Sequence, residues 1–115
     1  MIRRVVVIVA VTGAVAAGAA LAQEASKGKE VFANAAPKCK VCHSIAGEGN
    51  AKGSLDEVGG KLSAADIKAW VRTPKEMAAK AKAERKPAMP AYGSEKLSDG
   101  DLDALAAYLS SLKKK

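Results

Sequence analysis

Cys39-Lys40-Val41-Cys42-His43 brings two thiols and an imidazole into five consecutive positions, using both cysteines and the only histidine of the 115-residue chain. Two thiols three positions apart can add to the two vinyl groups of one haem. The adjacent imidazole then lies beneath the iron as proximal ligand, which is the use that C-x-x-C-H spacing indicates. Other uses of the same residues fit less well. A structural zinc takes four ligands, commonly from two separated pairs, and no further Cys or His exists to complete them. A thioredoxin-like redox pair needs a βαβ setting, and no strand is legible here. A Cys39–Cys42 disulfide stays open, although it would close a very short loop and stabilise little.

An iron held by His43 leaves its opposite face to another donor, and no second histidine exists. Beyond residue 22 the methionines are Met77 and Met89. A thioether is a soft, neutral donor, and Met/His ligation raises the reduction potential. Met77 falls inside an expected helix, where core packing is the commoner fate of a methionine. Met89 sits in Lys86-Pro87-Ala88-Met89-Pro90-Ala91-Tyr92. Flanking prolines limit the conformations of that loop, so presenting an unbranched side chain from it costs little further entropy. Loop stiffness favours Met89, with Met77 as the alternative.

The elements that must hold these groups are helical. From residue 23 onward there is no period-2 alternation, but several stretches repeat near 3.6 residues. The first helix is expected from Ser26 to about Ala36, with Val31, Phe32 and Ala35 on one face, ended by Pro37. A Gly- and Lys-rich loop, 46–61, follows; its glycines allow close wrapping. Ser63-Ala64-Ala65-Asp66 is a capping sequence, opening a helix with Ile67, Trp70 and Val71 on one face that stops before Pro74. Thr73-Pro74-Lys75-Glu76 reads as a capping box with proline at the first helical position, opening a helix to about Glu84. Residues 86–97 form a loop. Ser98-Asp99-Gly100-Asp101 starts the last helix, with Leu102, Leu105, Ala106, Leu109 and Leu112 at helical spacing and Lys113 to Lys115 closing it. The expected fold is all-α, about four helices wrapped round one cofactor.

Met1-Ile2-Arg3-Arg4, the uncharged run Val5–Ala22 and its end Ala20-Leu21-Ala22 are the three parts of a secretory signal peptide. Cleavage after Ala22 is expected to leave residues 23–115 as a single periplasmic domain. The alternative is a retained anchor, since 18 uncharged residues approach the lower limit for a ~30 Å hydrocarbon core. Without Arg3 and Arg4 the formal charge falls from +7 to +5. Beyond residue 22 the apolar set includes 18 alanines, so the core is thin and calls for a staple such as a cofactor. Evenly mixed charges argue against a disordered chain, and two cysteines are too few for a disulfide scaffold. Four aromatics are too few to stack single-stranded nucleic acid. Lys38, Lys40, Lys75, Lys80, Lys82, Arg85 and Lys86 flank the haem motif and the methionine loop, where they can steer acidic partners; a solvated helix face accounts for Lys80 and Lys82 equally well.

From Lys27 to Leu112 the chain resembles a class I monohaem c-type cytochrome. The resemblance rests on the early C-x-x-C-H, Gly28-x-x-x-Phe32, Leu105-x-x-Tyr108 and Met89-Pro90-x-Tyr92. Residues Leu55-Asp56-Glu57-Val58-Gly59-Gly60-Lys61-Leu62 are similar to the variant with a Leu-Asp-x-Val-Gly loop. It implies a cytochrome c fold, one covalently attached haem c on Cys39 and Cys42, and His43/Met89 axial ligands. It further implies a close crossing of the first and last helices at Gly28, with Phe32 against Leu105 and Tyr108. Trp70 resembles the tryptophan that donates to a haem propionate, and it can serve in the core as well. Many members carry a proline just ahead of the loop leucine, whose carbonyl accepts from the ligand histidine; Ser54 stands there, so its carbonyl is the expected acceptor.

The implied function is one-electron transfer between redox protein partners with acidic docking surfaces. No catalytic residues, small-molecule substrate or nucleic acid are expected, and the chain is expected to be monomeric. Two alternatives are a haem protein with an open sixth position that binds a gas or reduces peroxide, and an anchored cytochrome subunit of a larger redox complex.

Overall fold

The computed structural model describes residues 16–84 and 86–113. Residues 1–15 of the expected leader, Arg85 of the expected basic ring and the last two lysines lie outside the described residues. In chain order the elements are α1 (Ala16–Asn34), a 3-10 turn (Cys39–Val41), β1 (Ser44–Ile45), β2 (Glu48–Gly49), a second 3-10 turn (Ala51–Gly53), α2 (Val58–Lys61), α3 (Ala64–Arg72), α4 (Pro74–Ala81) and α5 (Asp99–Ser110). The all-α expectation holds, with five helical segments among the described residues rather than about four.

The frame is the crossing of α1 and α5. A Cβ at Gly28 would lie 2.6 Å from the Tyr108 Cβ and against the Ala104 carbonyl, so only glycine permits the approach. Phe32, one turn on, is buried with Leu105, and Tyr108 packs against the same cluster. Described from Ala16, α1 already lies ahead of the expected Ser26 and runs through Ala22, as its alanine-rich sequence favours. It stops at Asn34, two residues short of the expected end, where the Asn34 amide turns back to the Glu30 carbonyl at 2.9 Å.

Local chemistry sets the later boundaries. The Ser63 and Ser98 hydroxyls accept from the Asp66 and Asp101 amides, both at 3.1 Å, and so cap α3 and α5 as expected. Thr73 does not cap α4. Its hydroxyl donates to the Ala69 carbonyl at 3.0 Å, completing the end of α3 instead. α4 ends at Ala81, short of Glu84, because Lys82 takes the left-handed conformation (φ 51°). α5 ends at Ser110, where Ser110 and Ser111 hydroxyls bond back to the Ala107 and Tyr108 carbonyls. Lys113 therefore lies beyond the last turn and does not close it.

The stretch expected as plain loop contains structure. β1 and β2 pair antiparallel, Ser44 with Gly49 and Ile45 with Glu48. Two-residue strands are too short to leave a legible alternation. α2 is a single turn, seated where the Gly59 amide donates to the Leu112 carbonyl at 2.9 Å. A side chain at Gly59 would strike the Ser110 carbonyl.

The core sits between α1, α3 and α5, built from Phe32, Ile67, Val71, Leu102, Leu105 and Leu109, with Tyr92 and Leu97 contributed by the 86–97 loop. Ion pairs Lys27–Asp101 (3.4 Å) and Lys68–Asp103 bridge these helices at the surface, where each contributes at most about 1 kcal/mol. Five of the core residues, Phe32, Ile67, Val71, Leu105 and Leu109, also line a central cleft.

Candidate cofactor site

The C-x-x-C-H segment folds back on itself after α1. The Cys42 and His43 amides both donate to the Cys39 carbonyl, at 3.2 and 2.8 Å. Asn50 braces this turn from across the hairpin: its side-chain amide donates to the Val41 carbonyl (3.2 Å), and its backbone amide reaches the Lys40 carbonyl (3.1 Å). The Asn50 side-chain oxygen accepts from the Lys52 amide at 3.0 Å and so caps the second 3-10 turn.

That turn presents the Gly53 carbonyl to His43 Nδ1 at 3.0 Å. A carbonyl only accepts, so Nδ1 is the donor, the tautomer in which Nε2 is the metal-binding nitrogen. The acceptor is Gly53, not the expected Ser54. Ser54 bridges in parallel to Ser44 and accepts at its hydroxyl from the Asp56 amide (3.4 Å). Counting back from the leucine of the loop placed the acceptor one residue late.

The central cleft has a cavity volume of about 130 Å³. His43, Cys39, Trp70 and Met89 line it together with Leu55, Val58, Leu62 and the core residues. Cys39 and Cys42 are half-buried thiols. Burial pushes the Cys39 thiol up, partly offset by hydrogen bonds to it, including one with Tyr92. Met77 is half-buried on α4 and is not among the residues lining the cleft.

The loop carrying Met89 is tied down on its C-terminal side. The Tyr92 amide donates to the Val71 carbonyl at 3.0 Å, and its hydroxyl donates to the Pro37 carbonyl at 2.5 Å. Arg72, the last residue of α3, donates to the Tyr92 and Leu97 carbonyls. Neither Arg72 nor Asn50 carried a signal in the sequence, since each acts on segments distant along the chain. Gly53 and Tyr92 stood in the sequence within a glycine-rich loop and a family motif, without these roles.

The cytochrome c family matches residues 25–113. The chain belongs to the cytochrome c family. No curated protein and no solved structure matches it. Membership makes the cofactor one covalently attached haem c and makes this cytochrome c an electron-transport protein with redox protein partners. The cleft fits that group: its lining is apolar except at the sulfur and imidazole positions that haem c uses, and it occupies the centre of an otherwise thin core. Around the cytochrome c, Lys38, Lys75, Lys80, Lys82 and Lys86 are exposed, while Lys40 pairs with Glu48 at 3.5 Å. None of the helices among the described residues is long and apolar enough to cross a membrane.

Proposed function

We propose that this cytochrome c is a periplasmic one-electron carrier with haem attached through Cys39 and Cys42 and iron held between His43 and Met89. The observation that carries the reading is that His43 and Met89, from separate segments, line one apolar cleft. When bound, the haem supplies a ferric/ferrous couple. His43, oriented by the Gly53 carbonyl, donates through Nε2. Met89 offers a neutral sulfur that favours the reduced iron and fills the position a substrate would need. Phe32, Ile67, Val71 and Leu105 exclude water, which lowers the reorganisation accompanying electron transfer. Trp70 lines the cleft and would donate its indole N–H to a propionate.

The leader is removed after Ala22, and residues 23–115 act as a monomer. The exposed lysines beside the motif and the methionine loop steer acidic surfaces of donor and acceptor proteins toward the haem edge. The protein carries electrons rather than turning over a substrate. Visible spectra of the ferric and ferrous holoprotein test this, with carbon monoxide added to the ferrous form. The expected result is a low-spin c-type spectrum with the weak long-wavelength ferric band of an iron–thioether bond and no response to carbon monoxide. A high-spin spectrum or ready carbon monoxide binding would replace the carrier with a gas-binding or peroxide-reducing protein.

A further inference from the structure

Arg72 occupies the C-terminal position of α3 with its side chain 22% exposed. One guanidinium nitrogen, Nη1, donates to both the Tyr92 carbonyl (2.9 Å) and the Leu97 carbonyl (2.8 Å). The other, Nη2, meets Asp99 Oδ1 at 3.0 Å, but that carboxylate is 95% exposed and adds little. Tyr92 and Leu97 are both buried. Their carbonyls belong to the stretch of the 86–97 loop that follows Met89; its own turn, in which the Lys96 and Leu97 amides donate to the Gly93 carbonyl at 3.0 and 2.9 Å, does not tie it to the helices, and Arg72 does. We infer that Arg72 is a positioning residue for the sixth iron ligand: its fork clamps the far side of the methionine loop to α3 and so keeps Met89 in the haem cleft.

The inference rests on the reading of Met89 as ligand. A planar, permanently charged guanidinium holds its N–H donors in a fixed fork, so the pair on Nη1 reaches both carbonyls with charge-assisted bonds; an ammonium has three donors but carries them on a shorter stem without that fixed geometry. Tyr92 is held at three points, by Val71, Pro37 and Arg72, whereas Leu97 joins this clamp through Arg72. Removing the guanidinium therefore loosens the loop from its C-terminal end while leaving the helices seated.

The test is a guanidinium chloride titration of the ferric holoprotein, following the iron–sulfur band and the helical circular dichroism together. In Arg72→Met, which keeps an unbranched stem but no donor, the band is lost at lower denaturant and the gap between the two midpoints widens. Ferrous Arg72→Met also begins to bind carbon monoxide, which the parent does not, reflecting a larger open population. Arg72→Lys shows a smaller shift in the same direction and carries the measurement if Arg72→Met fails to mature. Asp99→Asn behaves as the parent.

Band and helix signal moving together in Arg72→Met would reduce Arg72 to a general stabiliser and overturn the inference. Parent-like behaviour in Arg72→Lys would overturn the fork. If the band is absent from the parent, or survives in Met89→Ala, the ligand reading itself falls and this inference with it. A band lost in Met89→Ala but untouched in Arg72→Met defeats the clamp alone.

Discussion

At the scale of single residues the chemistry depends on a few atoms whose environments differ sharply. His43→Ala removes the imbedded nitrogen donor and is expected to abolish stable low-spin haem, read as loss of the c-type spectrum. Met89→Ala is expected to lower the reduction potential and open the ferrous iron to carbon monoxide; an unchanged spectrum would move the ligand to Met77. Tyr92 gives a pH prediction. Burial, the leading cause, pushes its phenol from an ordinary value of 10.0 up to about 12, with the neighbouring thiols adding less. The fold therefore favours the neutral phenol. The stability from this shift is fully present below pH 10 and is lost as pH rises through about 12. Tyr92→Phe is expected to flatten denaturation midpoints across that window, while costing about 1 kcal/mol at neutral pH through loss of the bond to Pro37.

At the scale of elements, the structure turns on how closely α1 and α5 approach. Gly28→Ala places a methyl against the Ala104 carbonyl and the Tyr108 Cβ, so the helices must separate. Overpacking of this kind costs about 1–3 kcal/mol, and a thermal melt of the holoprotein is expected to fall by roughly 4–8 °C per kcal/mol. The caps at Ser63 and Ser98 were legible because a hydroxyl reaching an amide three residues on is a local bond. The Thr73 cap was not, because the same hydroxyl found the Ala69 carbonyl, an equally local acceptor with no distinguishing signature. α2 and the hairpin were illegible for another reason: one is a single turn held by Leu112, and the other is two residues a side.

At the scale of the whole molecule, the thin core read from composition becomes a core with a cleft at its centre. Phe32, Ile67, Val71, Leu105 and Leu109 serve both, so filling the cleft and burying the core are one event. The Cys39→Ala, Cys42→Ala double variant is expected to lose covalent haem and, once the group dissociates, its cooperative thermal transition. Circular dichroism melts of the variant against the parent read this directly; retention of haem through denaturation would defeat thioether attachment. Burying each large core side chain contributes about 1.5–3 kcal/mol, and an empty centre forfeits much of that for the residues lining it.

Residue types and their spacing along the chain were enough to identify the haem motif, the two methionine candidates and the main helical periods; the glycine at the helix crossing came from the family resemblance. Each of these is a pattern within a few consecutive turns. Tertiary structure alone decided that Gly53 rather than Ser54 receives the His43 proton, that Met89 rather than Met77 lines the cleft, and that Arg72 holds the methionine loop. The hydrogen bonds among them join carbonyls and side chains 10 to 25 residues apart. A hydrogen bond at that separation is set by the path of the backbone between its ends, and no local preference records it.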